Sequence, residues 1–270
     1  MAKRLLNALA VLVIVLNIFP TLTVSAQGAD TAAELQGGIC VYKCGKDVQQ
    51  WIDGELTKKA AQGGEWYIMS FAQSGERYDF SAYERALLEY LSKNKVASAT
   101  SREKYALTLL SIGSEDSYIC DALESSAGQQ GLMSLIFGLH IVNNGCTAGD
   151  ITSDKLIGEI LAQQLSDGGF AIIGQNGDPD CTAMTVTALA PYYKKNSKVK
   201  AACDKAIEFL SGIQQTSGAY KSFGKENCES TAQVLLALSS LGIDGDKDSR
   251  FIKKGGIRVG RGQARHPRLN

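Results

Sequence analysis

Two segments 49 residues apart carry the same run of small and apolar residues, Thr182-Ala-Met-Thr-Val-Thr-Ala-Leu189 and Thr231-Ala-Gln-Val-Leu-Leu-Ala-Leu238. Each follows a glutamine and then a turn in which glycine precedes an aromatic residue. Repetition at this period marks supersecondary units that cannot bury their apolar faces alone and must stack on their neighbours. The fold is therefore a series of stacked copies, and function is expected in whatever the stacked helices enclose.

The pattern of two apolar residues, a small residue, Leu or Phe and then glycine aligns five segments. They are Trp66 to Ser74, Lys104 to Ile112, Leu132 to Val142, Thr182 to Tyr192 and Thr231 to Leu241. Their low polarity and recurring Ala and Gly predict inner helices packed on more than one side. Between them, Val48 to Ala61, Ser81 to Lys93, Ser153 to Gln164 and Val199 to Gln214 show one apolar stripe and one charged face. These predict outer helices. No stretch shows strand alternation, so the fold class is all-α, antiparallel helical hairpins joined by short turns. Ser230-Thr-Ala-Gln233 has the form of a capping box, Asp180 is placed to cap the equivalent helix, and Gly75, Gly113 and Gly242 follow inner helices.

Residues 1–26 read as a secretory signal peptide: Lys3 and Arg4, the apolar run Leu5 to Phe19, then the small-residue cleavage site Val24-Ser25-Ala26. The mature chain from Gln27 would be secreted or attached to the cell surface. Residues 27–44 form an N-terminal segment, 45–252 the repeat domain and 253–270 a basic, Gly/Arg-rich tail expected to be unstructured. Of 28 basic residues, two lie in the signal and six in the tail, which leaves the body with 20 against 28 acidic residues. That balance argues against a nucleic-acid partner. Seven cysteines in an exported chain permit disulfides, while the odd count leaves at least one thiol over.

Phe209-Leu-Ser-Gly-Ile-Gln214 with Gly218-Ala-Tyr220, and Gln164-Leu-Ser-Asp-Gly-Gly-Phe170, resemble the glutamine-aromatic repeat of the squalene-cyclase and protein-prenyltransferase superfamily. The chain also resembles secreted bacterial proteins with a single such domain, through Asp178-Pro-Asp-Cys-Thr-Ala-Met and Asn227-Cys-Glu-Ser-Thr-Ala-Gln. It is more distantly similar to the α-domain of the cobalamin carriers transcobalamin and intrinsic factor. The resemblance covers roughly residues 45–252 and implies an α/α-toroid of inner and outer helices, incomplete at its C-terminus if the tail replaces a further hairpin. It does not fix the chemistry, because the superfamily spans enzymes and binders.

The family's terpene cyclases protonate an alkene with the middle acid of Asp-x-Asp-Asp-Thr-Ala. The match here is Asp178-Pro179-Asp180-Cys181-Thr182-Ala183, so Asp180 is the matched acid and Cys181 replaces the last Asp. Protein prenyltransferases hold zinc with Asp, Cys and His; Asp180-Cys181 is reminiscent, but no histidine stands near Glu229-Ser230. Catalytic candidates are therefore Asp178 and Asp180, with a turn and helix-cap role as their plainer reading. Candidates for lining a ligand cavity are Trp66, Tyr67, Phe71, His140, Asp180, Tyr192 and Glu229, several of which repeat-core packing or helix-terminus electrostatics would equally explain.

No metal and no cofactor are expected. Asp244, Asp246 and Asp248 alternate like a calcium loop, yet Ser249 stands where the loop needs glycine and Gly255 where it needs glutamate. The functional expectation is an exported toroid that binds a small hydrophobic or corrinoid ligand, or a surface protein, without turnover. The alternative is a terpene cyclase or prenyltransferase using Asp180. The tail from Gly255 reads as a truncated or frame-shifted continuation, the alternative being a genuine basic tail for wall polymers or anionic membrane.

Overall fold

The computed structural model describes residues 36–43, 45, 47–253 and the backbone of 257–258. The signal-peptide reading and nearly all of the tail lie outside the described residues. The chain is mostly helical, with 61% of it in helix, and the fold is all-α. Among the described residues no helix is long and apolar enough to cross a membrane.

Residues 36–43 form α1. There follow α2 (Val48–Trp51), which runs into a π-helical turn at Ile52–Leu56, then α3 (Glu65–Ala72), α4 (Ser81–Lys93), α5 (Ala99–Ser111), α6 (Tyr118–Ser126), α7 (Gly131–Asn143) and α8 (Ser153–Leu161). After α8 come α9 (Pro179–Leu189), α10 (Ser197–Ile213), strands β1 (Tyr220–Ser222) and β2 (Lys225–Asn227), α11 (Cys228–Ser240), and strands β3 (Ile252–Lys253) and β4 (Ile257–Arg258). The strands pair as two short antiparallel hairpins, Tyr220 with Asn227 and Ile252 with Arg258 at their ends. The sequence reading had foreseen no strand. These pairs run only two or three residues, too short for alternation to register.

The chain divides into two compact units within α8, one ending at Leu156 and one beginning at Ile157. In the N-terminal unit, Ile52, Ile68, Phe71, Tyr83, Leu87, Leu109 and Leu123 are fully buried in a common core. There α5 packs against α3, α6 and α7. Helix α6 was not foreseen from the sequence. In the C-terminal unit α9 packs against both α10 and α11 around buried Val186, Leu189, Ile207, Leu210, Val234 and Leu238.

The repeat is legible atom by atom in this second unit. Gln164 donates from Nε2 to the carbonyls of Gly168 (2.9 Å) and Ala202 (2.8 Å), and Gln214 donates to those of Gly218 (3.3 Å) and Phe251 (3.4 Å). Each glutamine thus closes its own turn and ties it to a later segment of chain. Gly168 and Gly218 take φ of +87° and +83°, where a side chain would be strained. The aromatic follows: the Phe170 N–H donates to Thr182 Oγ1 at 2.9 Å and the Tyr220 N–H to Thr231 Oγ1 at 3.1 Å. The turn is thereby fastened to the helix it precedes.

Two expected caps are corrected. The N-cap of α9 is Asp178, whose carboxylate accepts from the Cys181 N–H at 2.9 Å; Asp180 lies inside the first turn. The N-cap of α11 is Asn227, accepting from the Ser230 N–H at 2.7 Å, so Ser230 is not the first residue of a capping box. Both Asp and Asn cap well. The expected terminators Gly75, Gly113 and Gly242 do follow α3, α5 and α11 with φ of +86°, +81° and +74°.

Candidate functional site

The packing of α9 against α11 brings the two helix N-termini together, and with them the acids of both repeats. Ser230 donates its hydroxyl hydrogen to Asp180 Oδ2 at 3.0 Å. The Ser222 hydroxyl, at the end of β1, donates to Asp178 Oδ2 at 3.4 Å and is near enough to act on Asp180. Glu229, next to Ser230, accepts a hydrogen bond from the Cys228 thiol. Of the groups in this cluster, Asp180 alone among the carboxylates has a buried oxygen, Oδ1, with no hydrogen-bond partner.

Burial pushes the Asp180 carboxyl above the usual carboxylate range, and the charges of Asp178 and Glu229 add to this. The Ser230 and Ser222 hydroxyls oppose the shift because they stabilise the ionised form. The thiols on either side are held protonated. Burial raises Cys181 to about 12 and Cys228 to about 11, with Asp178 and Glu229 adding to the respective shifts. A reactive or metal-binding cysteine needs the opposite shift. Among the described residues no group of three or more His, Cys, Asp or Glu side chains is placed to hold a metal ion.

The end of the unit where these acids gather also exposes apolar side chains. Ile172, Ile173 and Phe223 are 62%, 89% and 103% exposed. The Ile172 backbone is near enough to act on the Cys181 thiol, and Phe223 follows Ser222 at the tip of the β1–β2 hairpin with φ of +49°. Exposed Ile172 and Phe223 are therefore chain neighbours of groups that contact the acid cluster.

Asp178, Asp180 and Glu229 are thus brought into one neighbourhood, and Tyr192 lies half-buried in the 3₁₀ turn that ends α9. The other sequence candidates belong to the N-terminal unit. Phe71 is core, 1% exposed, and stacks edge-on with Trp51 at 5.8 Å; Tyr67 packs on Trp51 at 4.9 Å and Trp66 on Phe137 at 6.3 Å. His140 is buried on α7, and desolvation lowers its pKa to about 4, so it is neutral at neutral pH. Asp244 and Asp248 serve an ion pair each, with Lys247 and Arg250.

The sequence reading passed over Ser222 and two buried acids of the N-terminal unit. Glu65, fully buried on α3, pairs with Lys104 at 3.0 Å and accepts from the Gly63 N–H at 3.1 Å. Glu103, fully buried on α5, has neither oxygen hydrogen-bonded, and burial raises its pKa to about 9. A Cβ at Gly138 of α7 would sit 3.3 Å from Glu103 Oε1, beside Ala127 and Leu123. Flanked by Arg102 and Lys104, Glu103 looks in sequence like part of a solvated charged face. No family model, curated protein or solved structure matches this chain.

Proposed function

We propose that the chain is an exported helical-repeat protein that binds a ligand at the paired N-termini of α9 and α11 without transforming it. The observation that carries this reading is Asp180 Oδ1, a buried carboxyl oxygen with no partner, in a cluster whose contacting segments also bear exposed Ile172 and Phe223. A mostly apolar site with a few convergent polar groups is the usual form of a small-molecule site. A carboxyl shifted upward takes up a proton more readily and can then donate a hydrogen bond, and the negative charges of Asp178 and Glu229 that act on it favour cationic or neutral groups over anions. A corrinoid meets these requirements, being a broad, largely apolar ring edged by amides. A polyprenyl diphosphate fits less well, since the charges acting on Asp180 are those of Asp178 and Glu229.

The test is thermal denaturation of the chain from Gln27 with cyanocobalamin, a second corrinoid and a polyprenyl diphosphate, because a ligand that binds only the folded state raises the melting temperature. Stabilisation by a corrinoid that is lost in Asp180→Ala and in Phe223→Ser supports the reading. Stabilisation that survives both substitutions places the ligand elsewhere. Export is tested separately by sequencing the N-terminus of the secreted protein, with Gln27 the expected first residue.

One observation favours a second reading. Burial raises the Asp180 carboxyl, the direction that alkene protonation needs, so a cyclase acting through Asp180 predicts turnover of a polyprenoid that Asp180→Asn abolishes.

A further inference from the structure

Helix α6 and the loop that follows α7 lie side by side in the N-terminal unit. At Gly149 a Cβ would sit 3.3 Å from Glu124 Oε1, so the loop backbone runs against α6 there. Glu124 is one helical turn beyond Cys120, on the same face of α6. Cys146, three residues before Gly149, is 8% exposed and belongs to the core, whereas Cys120 is exposed. The Cys120 thiol is near enough to act on that of Cys146, so the two sulfurs are neighbours across this contact.

We propose that Cys120 and Cys146 are oxidised to a disulfide that fastens α6 to the loop after α7. The oxidant is a disulfide, either oxidised glutathione or the active-site disulfide of a thiol oxidoreductase. The exposed Cys120, as thiolate, attacks one sulfur of that disulfide and expels the other as a thiolate, giving a mixed disulfide. Cys146 then loses its proton and attacks Cys120 Sγ, and the second thiolate of the oxidant leaves. Two protein thiols are oxidised, one oxidant disulfide is reduced to two thiols, and the protons released on the protein balance those taken up by the oxidant. The order follows from access: Cys146 is buried and its thiol is raised to about 12, chiefly by desolvation, which leaves Cys120 to begin. The new bond closes a loop that contains the whole of α7, and a crosslink of this span stabilises by restricting the unfolded chain.

The experiment is to equilibrate the reduced protein with oxidised glutathione, block remaining thiols with iodoacetamide and digest it with a glutamate-specific protease. Cleavage after Glu115, Glu124 and Glu159 puts Cys120 in peptide 116–124 and Cys146 in peptide 125–159. The expected result is these two peptides joined, with a melting temperature roughly 5–10 °C above that of the reduced protein. Cys120→Ser, at an exposed position, should fold, lose the joined peptide and melt at the same temperature in oxidised and reduced buffer. Cys203→Ser, in α10, should keep both the link and the gain. Alkylation of Cys120 under every oxidising condition, a dominant link to another cysteine, or a thermal gain that persists in Cys120→Ser would overturn the proposal.

Discussion

Ser230 donates a hydrogen bond to Asp180 across the α9–α11 interface, 50 residues apart in sequence. One repeat copy thereby regulates the acid of the other, and the two neighbours of Asp180 act in opposite directions. Removing a hydroxyl that stabilises the ionised form should raise the pKa of Asp180, so Ser230→Ala shifts it up. Removing a negative neighbour should lower it, so Glu229→Gln shifts it down. Carboxyl ¹³C chemical shifts followed through a pH titration read both; two shifts in the same direction would contradict this arrangement.

Glu103 offers a stability prediction. Its folded pKa of about 9 stands above its ordinary value of 4.5, so the unfolded chain releases its proton first. The folded state is then favoured below pH 4.5 and loses that advantage progressively as the pH rises towards 9. Glu103→Met, which removes two unsatisfied buried oxygens at similar volume, should stabilise the protein by about 1–3 kcal/mol at pH 8. Urea denaturation at pH 8 and pH 5 should show the gain shrinking at the lower pH.

His140 acts from the acid side. Its folded pKa of about 4 lies below the ordinary 6.5, so the unfolded state binds a proton first as the pH falls. Stability attributable to the neutral ring is complete above pH 6.5 and is lost between there and about pH 4. His140→Gln should flatten that limb of the stability profile, and thermal denaturation across the range measures it. A limb as steep as in the parent protein would assign the acid sensitivity to other groups.

The glutamine turn can be tested by steric means. A Cβ at Gly169 would lie 2.8 Å from Gly177 Cα and 3.0 Å from Phe209 Cε1. Gly169→Ala should therefore cost about 1–3 kcal/mol through overpacking. Gly174, where a Cβ meets nothing but φ is +94°, provides a control in which only backbone strain operates.

The cap of α9 separates structure from binding. Asp178→Asn keeps an oxygen for the Cys181 N–H and should leave stability nearly unchanged, whereas Asp178→Ala should cost about 1 kcal/mol. Equal losses in the two variants, read by urea denaturation, would mean that the charge of Asp178 rather than its cap matters to the fold.

Much of the architecture is legible in the chain itself. The helices that carry the small-residue pattern, the glutamine turns and the terminating glycines depend on periodicity and on backbone conformations that few residues tolerate, and both are local properties. Helix α6 escaped notice because Tyr118 to Ser126 is short and lacks the small-residue pattern of its neighbours. The cap of α11 was misplaced for a different reason. Asn227 and Ser230 both have capping side chains, and the Ser230 hydroxyl is drawn away to Asp180 by packing that the local sequence does not encode.

Sequence by itself determined that the chain is helical and repeated, and where its turns fall, because hydrophobic period and glycine conformation act over a few residues. Tertiary structure decided that Glu103 is buried and raised, which cysteines are neighbours, and which two helix N-termini bring Asp180 and Glu229 together. Those outcomes depend on desolvation and proximity, and the atoms that exclude water from Glu103 or place Cys146 beside Cys120 come from segments tens of residues away.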